Sequence, residues 1–240
     1  MPKAYTVRCR NPKRHTLVRT LFIAQSAKNG AHFLYFLFMT SSVSGAAALT
    51  TLPLAELRDR LLTLFCEVAY KEGDFTLSSG QKSDYYINGK QVTLHSAGGV
   101  MVGRLLLEQI PPDIKSVAGL TLGADPIVSG VSIVGAYRDR PITPLIVRKQ
   151  AKGHGTQAYI EGPTLPAGAP VVVLEDVVTT GQSAWQAVER LREAGYAVDT
   201  VLALVDRQQG GEEFYQAKGL KFEALFSIAD IKSRYAQLHS

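Results

Sequence analysis

Two adjacent carboxylates, Glu175 and Asp176, interrupt the run VVVLEDVVTTGQSA (171–184), between four apolar residues and the sequence Val177-Val178-Thr179-Thr180-Gly181-Gln182-Ser183. A turn of small residues that opens a helix exposes several backbone N–H groups, and these bind an anion together with the helix dipole. The hydroxyls of Thr179, Thr180 and Ser183 add donors, and Gly181 lets the backbone approach a phosphate closely. The two acids would repel that phosphate. They suit a polyol beside it, accepting hydrogen bonds from sugar hydroxyls or holding a cation near the sugar. The ligand chemistry is therefore a sugar phosphate, with hydroxyls at the acids and phosphate at the turn. A lone Thr-Thr-Gly is more simply a capped helix start; the ordered series of strand, paired acids, two valines and hydroxyl-rich turn favours the site. A Walker phosphate loop is excluded, because no G-x-x-x-x-G-K-[ST] occurs.

Three other segments carry candidate chemistry. VRKQAKGHG (147–155) gathers Arg148, Lys149, Lys152 and His154 among glycines, a cluster able to neutralise a diphosphate and close over it. Its plain alternative is a solvated basic loop. VDRQQGG (205–211) ends a strand with Asp206 and Arg207, which on their own read as readily as an exposed Asp-Arg pair as a site. FTLSSGQKSDYYING (75–89) reads on its own as a packed hairpin with two tyrosines at the core edge, although an aromatic there could also stack on a planar ligand.

The elements that must position these segments alternate. Helical spacing of Leu54, Leu57, Leu61, Leu64, Phe65 and Val68 predicts a helix over 53–70, and helices are also expected at 96–110, 125–138, 183–195 and 228–237. Buried strands are expected at 116–120, 143–148, 170–175, 200–207 and 222–227, with a hairpin or short strands in 71–89 and a loop or loose hairpin at 150–169. Apolar strands alternating with helices mean an α/β fold with a mostly parallel sheet covered on both faces. Such sheets bind ligands at the carboxyl ends of their strands. Segments 121–125, 148–155, 175–183 and 206–208 all follow strands, so one site fed by four loops is expected.

Charge separates the chain into two parts. Of 26 basic residues, seven lie in residues 1–55, ahead of the first acid, Glu56; the remaining 19 face 21 acids. The basic character belongs to this leader, so no nucleic-acid surface is expected on the folded body. The apolar run AHFLYFLFM (31–39) is about half the roughly 20 residues needed to span a bilayer, so no membrane span is expected. The leader reads as a transit peptide, a signal peptide, or an extension without a folded role that would put the start at Met39. Residues 1–50 are expected to stand apart from a single domain over 51–240. A cytoplasmic enzyme is expected, or an organellar one if the leader targets. Cys9 and Cys66 form no metal or disulfide pattern.

The 171–184 stretch resembles the phosphoribosyl-diphosphate motif of the type I phosphoribosyltransferases. Segments 147–155, 75–89 and 205–211 resemble the catalytic loop, base-covering segment and base-binding arginine of the orotate phosphoribosyltransferase family. The likeness spans roughly 54–235. It implies the type I phosphoribosyltransferase fold, a central, mostly parallel sheet with helices on both faces and a small hood from the amino-terminal part of the body. It also implies transfer of a phosphoribosyl group to orotate with Mg²⁺. Arg148, Lys149, Lys152 and His154 would serve the leaving diphosphate. Glu175, Asp176 and Val177 to Ser183 would hold the sugar phosphate, and Gly123, Ala124 and Asp125 the diphosphate. Thr179, Arg207, Tyr86 and Ile87 would contact orotate. The metal would be held mainly by substrate, aided by Asp125 or Asp176. A homodimer sharing the 148–155 loop across its interface is implied as well. Ser78, Leu122-Gly123 and Glu175 depart from residues common in the family. Two alternatives stay open: a phosphoribosyltransferase for another base, and a non-catalytic regulator that senses phosphoribosyl diphosphate. A regulator would need a nucleic-acid surface, and the leader lacks a recognisable DNA-binding pattern.

Overall fold

Runs of Val, Ala and Leu form the central strands of the computed structural model, which describes residues 48–76, 82–151 and 159–240. The chain divides into two units, Met1–Ser44 and Gly45–Ser240, and every described residue lies in the second. The readings of the leader, of Ser78, and of Lys152 and His154 therefore fall outside the described residues.

A hairpin comes first: β1 (Tyr70–Thr76) pairs antiparallel with β2 (Lys82–Ile87). The main sheet contains β3 (Ser116–Leu120), β4 (Thr143–Val147), β5 (Ile160–Glu161), β6 (Val172–Val178), β7 (Thr200–Asp206) and β8 (Lys221–Ser227). Its order is β5-β4-β3-β6-β7-β8, parallel throughout except for β5 against β4. The helices are α1 (Leu54–Leu64), α2 (Lys90–Thr93), α3 (Ser96–Gln109), α4 (Asp125–Tyr137), α5 (Gln182–Glu193), α6 (Gly211–Ala217) and α7 (Ile228–His239).

Two apolar clusters cover the sheet. Leu57, Leu61, Leu106, Ile127, Val131 and Ile231 pack with Val172, Leu174, Leu202 and Leu204 on one face. Ala184, Ala187, Leu191 and Tyr215 pack with Val173, Val201 and Ala203 on the other. Successive strand side chains point to opposite faces, so strands covered on both sides need continuous apolar runs, as here. The hairpin is tied to the first cluster through Tyr70, Tyr85 and Ile87, which makes it the expected small hood. Among the described residues, no helix is long and apolar enough to cross a membrane.

Four expectations need adjustment. The first helix ends at Leu64 and continues as a wider π turn, Phe65–Ala69, before Tyr70 enters β1. Strand β6 runs to Val178, three residues past the expected end at Glu175, so Asp176 also lies inside the strand. The cause is the ladder to β7, which continues through Val177↔Val205 and Val178↔Asp206. Helices α2 and α6 were not expected; at four and seven residues they are too short to show an amphipathic period.

Beyond Val117↔Val172 and Ala118↔Val173, β3 and β6 no longer pair. Gly119 sits where they part. A Cβ there would lie 2.2 Å from Ala124 Cβ and 2.7 Å from the Leu174 carbonyl oxygen. Gly119→Ala is expected to lower stability by about 1–3 kcal/mol, read as a lower Tm. An unchanged Tm would show that the contact between the 121–125 loop and β6 yields freely.

Candidate active site

β3 connects through α4 to β4 on one side, while β6 leads through α5 to β7 on the other. The gap between β3 and β6 is therefore the point where the winding direction reverses, and open α/β sheets bind ligands outside it. The loop after β3 enters this gap, with a cis peptide bond at Thr121–Leu122. Asp176 fills the space between two glycine-bearing loops. Its Oδ1 would be 2.7 Å from a Cβ on Gly123, and its own Cβ 3.0 Å from one on Gly89. Its Oδ1 accepts the Val177 N–H at 2.9 Å, and its Oδ2 lies 4.0 Å from Lys90 Nζ. Ala124 is fully buried, so only its backbone can face a ligand. Asp125 begins α4, and its Oδ2 accepts from the Thr121 hydroxyl at 2.8 Å. Its Oδ1 is buried without a partner among the described residues.

Glu175 points away from that gap into a pocket lined by Val177, Val178, the turn from Thr179 to Ser183, and Tyr215. Only 5% of its surface is exposed. Oε1 accepts the Asp176 N–H at 3.1 Å, while Oε2 has no partner among the described residues. Burial, and next the neighbouring Asp176, push its pKa well above the ordinary carboxylate range. Gly181 closes the turn at φ 85°, a left-handed conformation that favours glycine, and α5 starts at the following residue. The ring of Tyr215 lies beneath this turn, with Cζ 3.0 Å from where a Gly181 Cβ would be. Its hydroxyl is also buried without a partner among the described residues, and burial raises its pKa. Thr180, Gln182 and Ser183 are exposed at the mouth, whereas Val178 is buried and contributes backbone.

Arg207 is anchored to the same turn, since its N–H donates to the Val178 carbonyl at 2.9 Å. Its side chain is buried, with 8% exposed, and crosses to the hairpin, where Nε donates to the Tyr85 hydroxyl at 2.9 Å. Its Nη2 has no partner among the described residues. Tyr86, on the opposite face of β2 from Tyr85, is 43% exposed and lies beside Phe75. Ile87 is half-buried and packs on the first core cluster. The hairpin residue brought to Arg207 is thus Tyr85.

The basic segment leaves β4 with Arg148 half-buried and 3.2 Å from Glu161 Oε1, and with Lys149 exposed. Arg190 of α5 donates to the carbonyls of Arg148 and Lys149, the latter at 2.9 Å. Its guanidinium carbon lies 4.1 Å from the centre of the Tyr159 ring. One arginine therefore holds the chain on both sides of 152–158. Reading from sequence missed Lys90, Tyr85, Tyr215 and Arg190. Only Tyr85 left a signal: it shares strand parity with Ile87, a half-buried neighbour.

Over 188 residues the chain is 68% identical to the orotate phosphoribosyltransferase of Nostoc sp., covering 78% of this chain and 91% of that relative. The chain belongs to the orotate phosphoribosyltransferase family. It is also 66% identical over 191 residues to the orotate phosphoribosyltransferase of Synechocystis sp., covering 80% of this chain and 96% of the relative. Among solved structures, the Mycobacterium tuberculosis orotate phosphoribosyltransferase bound to Fe(III) dicitrate matches with a TM-score of 0.66 and 39% identity, covering 73% of this chain and 98% of that one. The same enzyme in complex with 5-phospho-α-D-ribosyl 1-diphosphate matches with a TM-score of 0.62 and 34% identity, covering 73% and 99%. No family model matches the sequence. The architecture is accordingly the type I phosphoribosyltransferase fold, and family members are pentosyltransferases.

No group of three or more His, Cys, Asp or Glu among the described residues could hold a metal by itself. The available donors are single carboxylates on either side of the gap, Asp176 and the partnerless Oδ1 of Asp125. This set fits a hard cation whose remaining ligands come from substrate oxygens.

Because its folded pKa is raised, Glu175 contributes stability that is complete below the unfolded carboxylate pKa of about 4.3 and is lost as pH rises toward the folded value. Glu175→Gln removes that loss. The ligand-free variant is expected to exceed wild-type Tm by a margin that grows from about pH 5 to about pH 8, while activity falls. A constant margin would show that Glu175 does not titrate in this window.

Proposed function

We propose that this chain transfers the 5-phosphoribosyl group of phosphoribosyl diphosphate to orotate, releasing diphosphate and forming orotidine 5′-phosphate for pyrimidine nucleotide synthesis in the cytoplasm. The observation that carries this reading is Arg207, a buried guanidinium with a spare N–H, rooted by its backbone in the phosphate turn. A carboxylated base placed there meets a bidentate donor, whereas a base without a carboxylate leaves the donor unpaired.

Breaking the anomeric C–O bond puts positive charge on the ribose and negative charge on the leaving diphosphate. Catalysis then rests on positioning and electrostatic stabilisation. The backbone of Val178 to Ser183, with the hydroxyls of Thr179, Thr180 and Ser183, holds the 5′-phosphate. Glu175, Asp176 and Val177 form the wall at the ribose, where the two acids accept its hydroxyls and Asp176 favours the cationic ring. The backbone of Gly123 and Ala124, with Asp125, borders the diphosphate. Arg148, Lys149, Lys152 and His154 neutralise it as it leaves. Arg207 and Thr179 orient orotate, with Tyr86 and Ile87 on the hood side. Asp176 or Asp125 would be the protein ligand of a bound Mg²⁺, which would supply further neutralisation of the leaving group. Residues 51–240 carry all of this, outside the leader.

The decisive experiment follows orotate absorbance with the full-length chain, phosphoribosyl diphosphate and Mg²⁺. Consumption that requires all of them is expected; inert orotate with turnover of another base would overturn the substrate assignment, and no turnover of any base would favour the regulator. Lys152→Ala is expected to lower kcat by about 10²–10³ with little change in Tm. Unchanged turnover would remove the loop from the chemistry. If the 148–155 loop serves a partner's site, mixing inactive Lys152→Ala and Glu175→Gln chains restores activity, because mixed dimers contain one intact site. A mixture as inactive as its components would place the loop in its own subunit's site.

A further inference from the structure

We propose that Tyr85 is a positioning residue that selects which edge of the Arg207 guanidinium meets the carboxylate of the base. This inference rests on the reading of Arg207 as the base-binding arginine and adds a residue to it.

A guanidinium can grip a carboxylate side-on, through Nε and one Nη, or end-on, through both Nη nitrogens. Here the Tyr85 hydroxyl accepts from Nε at 2.9 Å, and the side-on edge is taken. Nη2 remains buried and without a partner among the described residues. With Nε taken, the Nη nitrogens, Nη2 among them still partnerless, are what remain for a carboxylate.

Tyr85 is itself fixed. It is 5% exposed, and its ring stacks on Tyr70 with centroids 5.8 Å apart and planes 29° apart. Tyr70 meets Tyr235 of α7 edge-on at 5.0 Å. Lys232 of the same helix sets its ammonium 4.7 Å from the Tyr85 ring centre and donates to Asp84 at 2.9 Å. The hood, the carboxy-terminal helix and the end of β7 thus converge on one phenol. Its oxygen satisfies a nitrogen that would otherwise be buried and unpaired, which costs more than an exposed loss. The hydroxyl touches Arg207, so it acts on the base through the arginine.

The test is a double-variant cycle on the full chain, using Tyr85→Phe, Arg207→Ala and both together. Tyr85→Phe keeps the ring contacts and removes only the acceptor. It is expected to lower kcat/KM for orotate roughly tenfold, leave KM for phosphoribosyl diphosphate unchanged, and have no further effect once Arg207 is alanine. Orotate kcat/KM that falls with Arg207→Ala but not with Tyr85→Phe would overturn the role of Tyr85 alone. So would effects that multiply in the double variant, or a Tyr85→Phe chain with lower Tm and both substrates weakened alike. Orotate kcat/KM untouched by Arg207→Ala would instead overturn the assignment of Arg207.

Discussion

Two parallel strands that begin as partners and then separate are the constraint on which this molecule's chemistry depends. β3 and β6 exchange hydrogen bonds only near their starts, at Val117↔Val172 and Ala118↔Val173. Past that point β6 is held only by β7, and its open side borders the loop that follows β3. Gly119 permits the close approach of that loop, and Gly123 and Gly89 close around Asp176. The sequence places its two acids in the stretch of β6 that has lost one neighbour but kept the other. Both are held by the strand, Glu175 lining the pocket at the 179–183 turn and Asp176 lying between the loops that carry Gly89 and Gly123.

Electrostatics follow from that placement. Glu175 and Asp176 are adjacent in a strand and so point to opposite sides, Glu175 toward the 179–183 turn and Tyr215, Asp176 toward the 121–125 loop and Lys90. Glu175 is costly to ionise where it sits, and neither its Oε2 nor the Tyr215 hydroxyl is paired among the described residues. Unpaired buried polar groups are uncommon in folded proteins; of the eight side-chain atoms buried without a partner among the described residues, four, on Glu175, Asp125, Arg207 and Tyr215, border the strand-end loops.

Much of this was legible in the amino-acid sequence, for physical reasons. The central strands are covered on both faces and therefore read as unbroken apolar runs, and each expected strand and long helix is present. The motif of paired acids and hydroxyl-rich turn is local, so its residues fall together by chain connectivity. What stayed hidden depends on distant contacts. Tyr85 and Arg207 are 122 positions apart and meet only because the hood folds over the strand ends. Arg190 looked like one basic residue on an amphipathic helix, and nothing local marks it as the clamp at both sides of 152–158. The extension of β6 past Glu175 was missed because an acidic pair suggests solvent; pairing with β7 outweighs that tendency.

The central claim is that ligand binds in the gap between β3 and β6, against the loops that follow them. Amide hydrogen exchange of the full chain, with and without phosphoribosyl diphosphate and Mg²⁺, tests it most directly. Slowed exchange is expected in peptides covering 119–125 and 176–183, with little change in α3 or β8. Protection confined to other segments, with these two unaltered, would contradict the account.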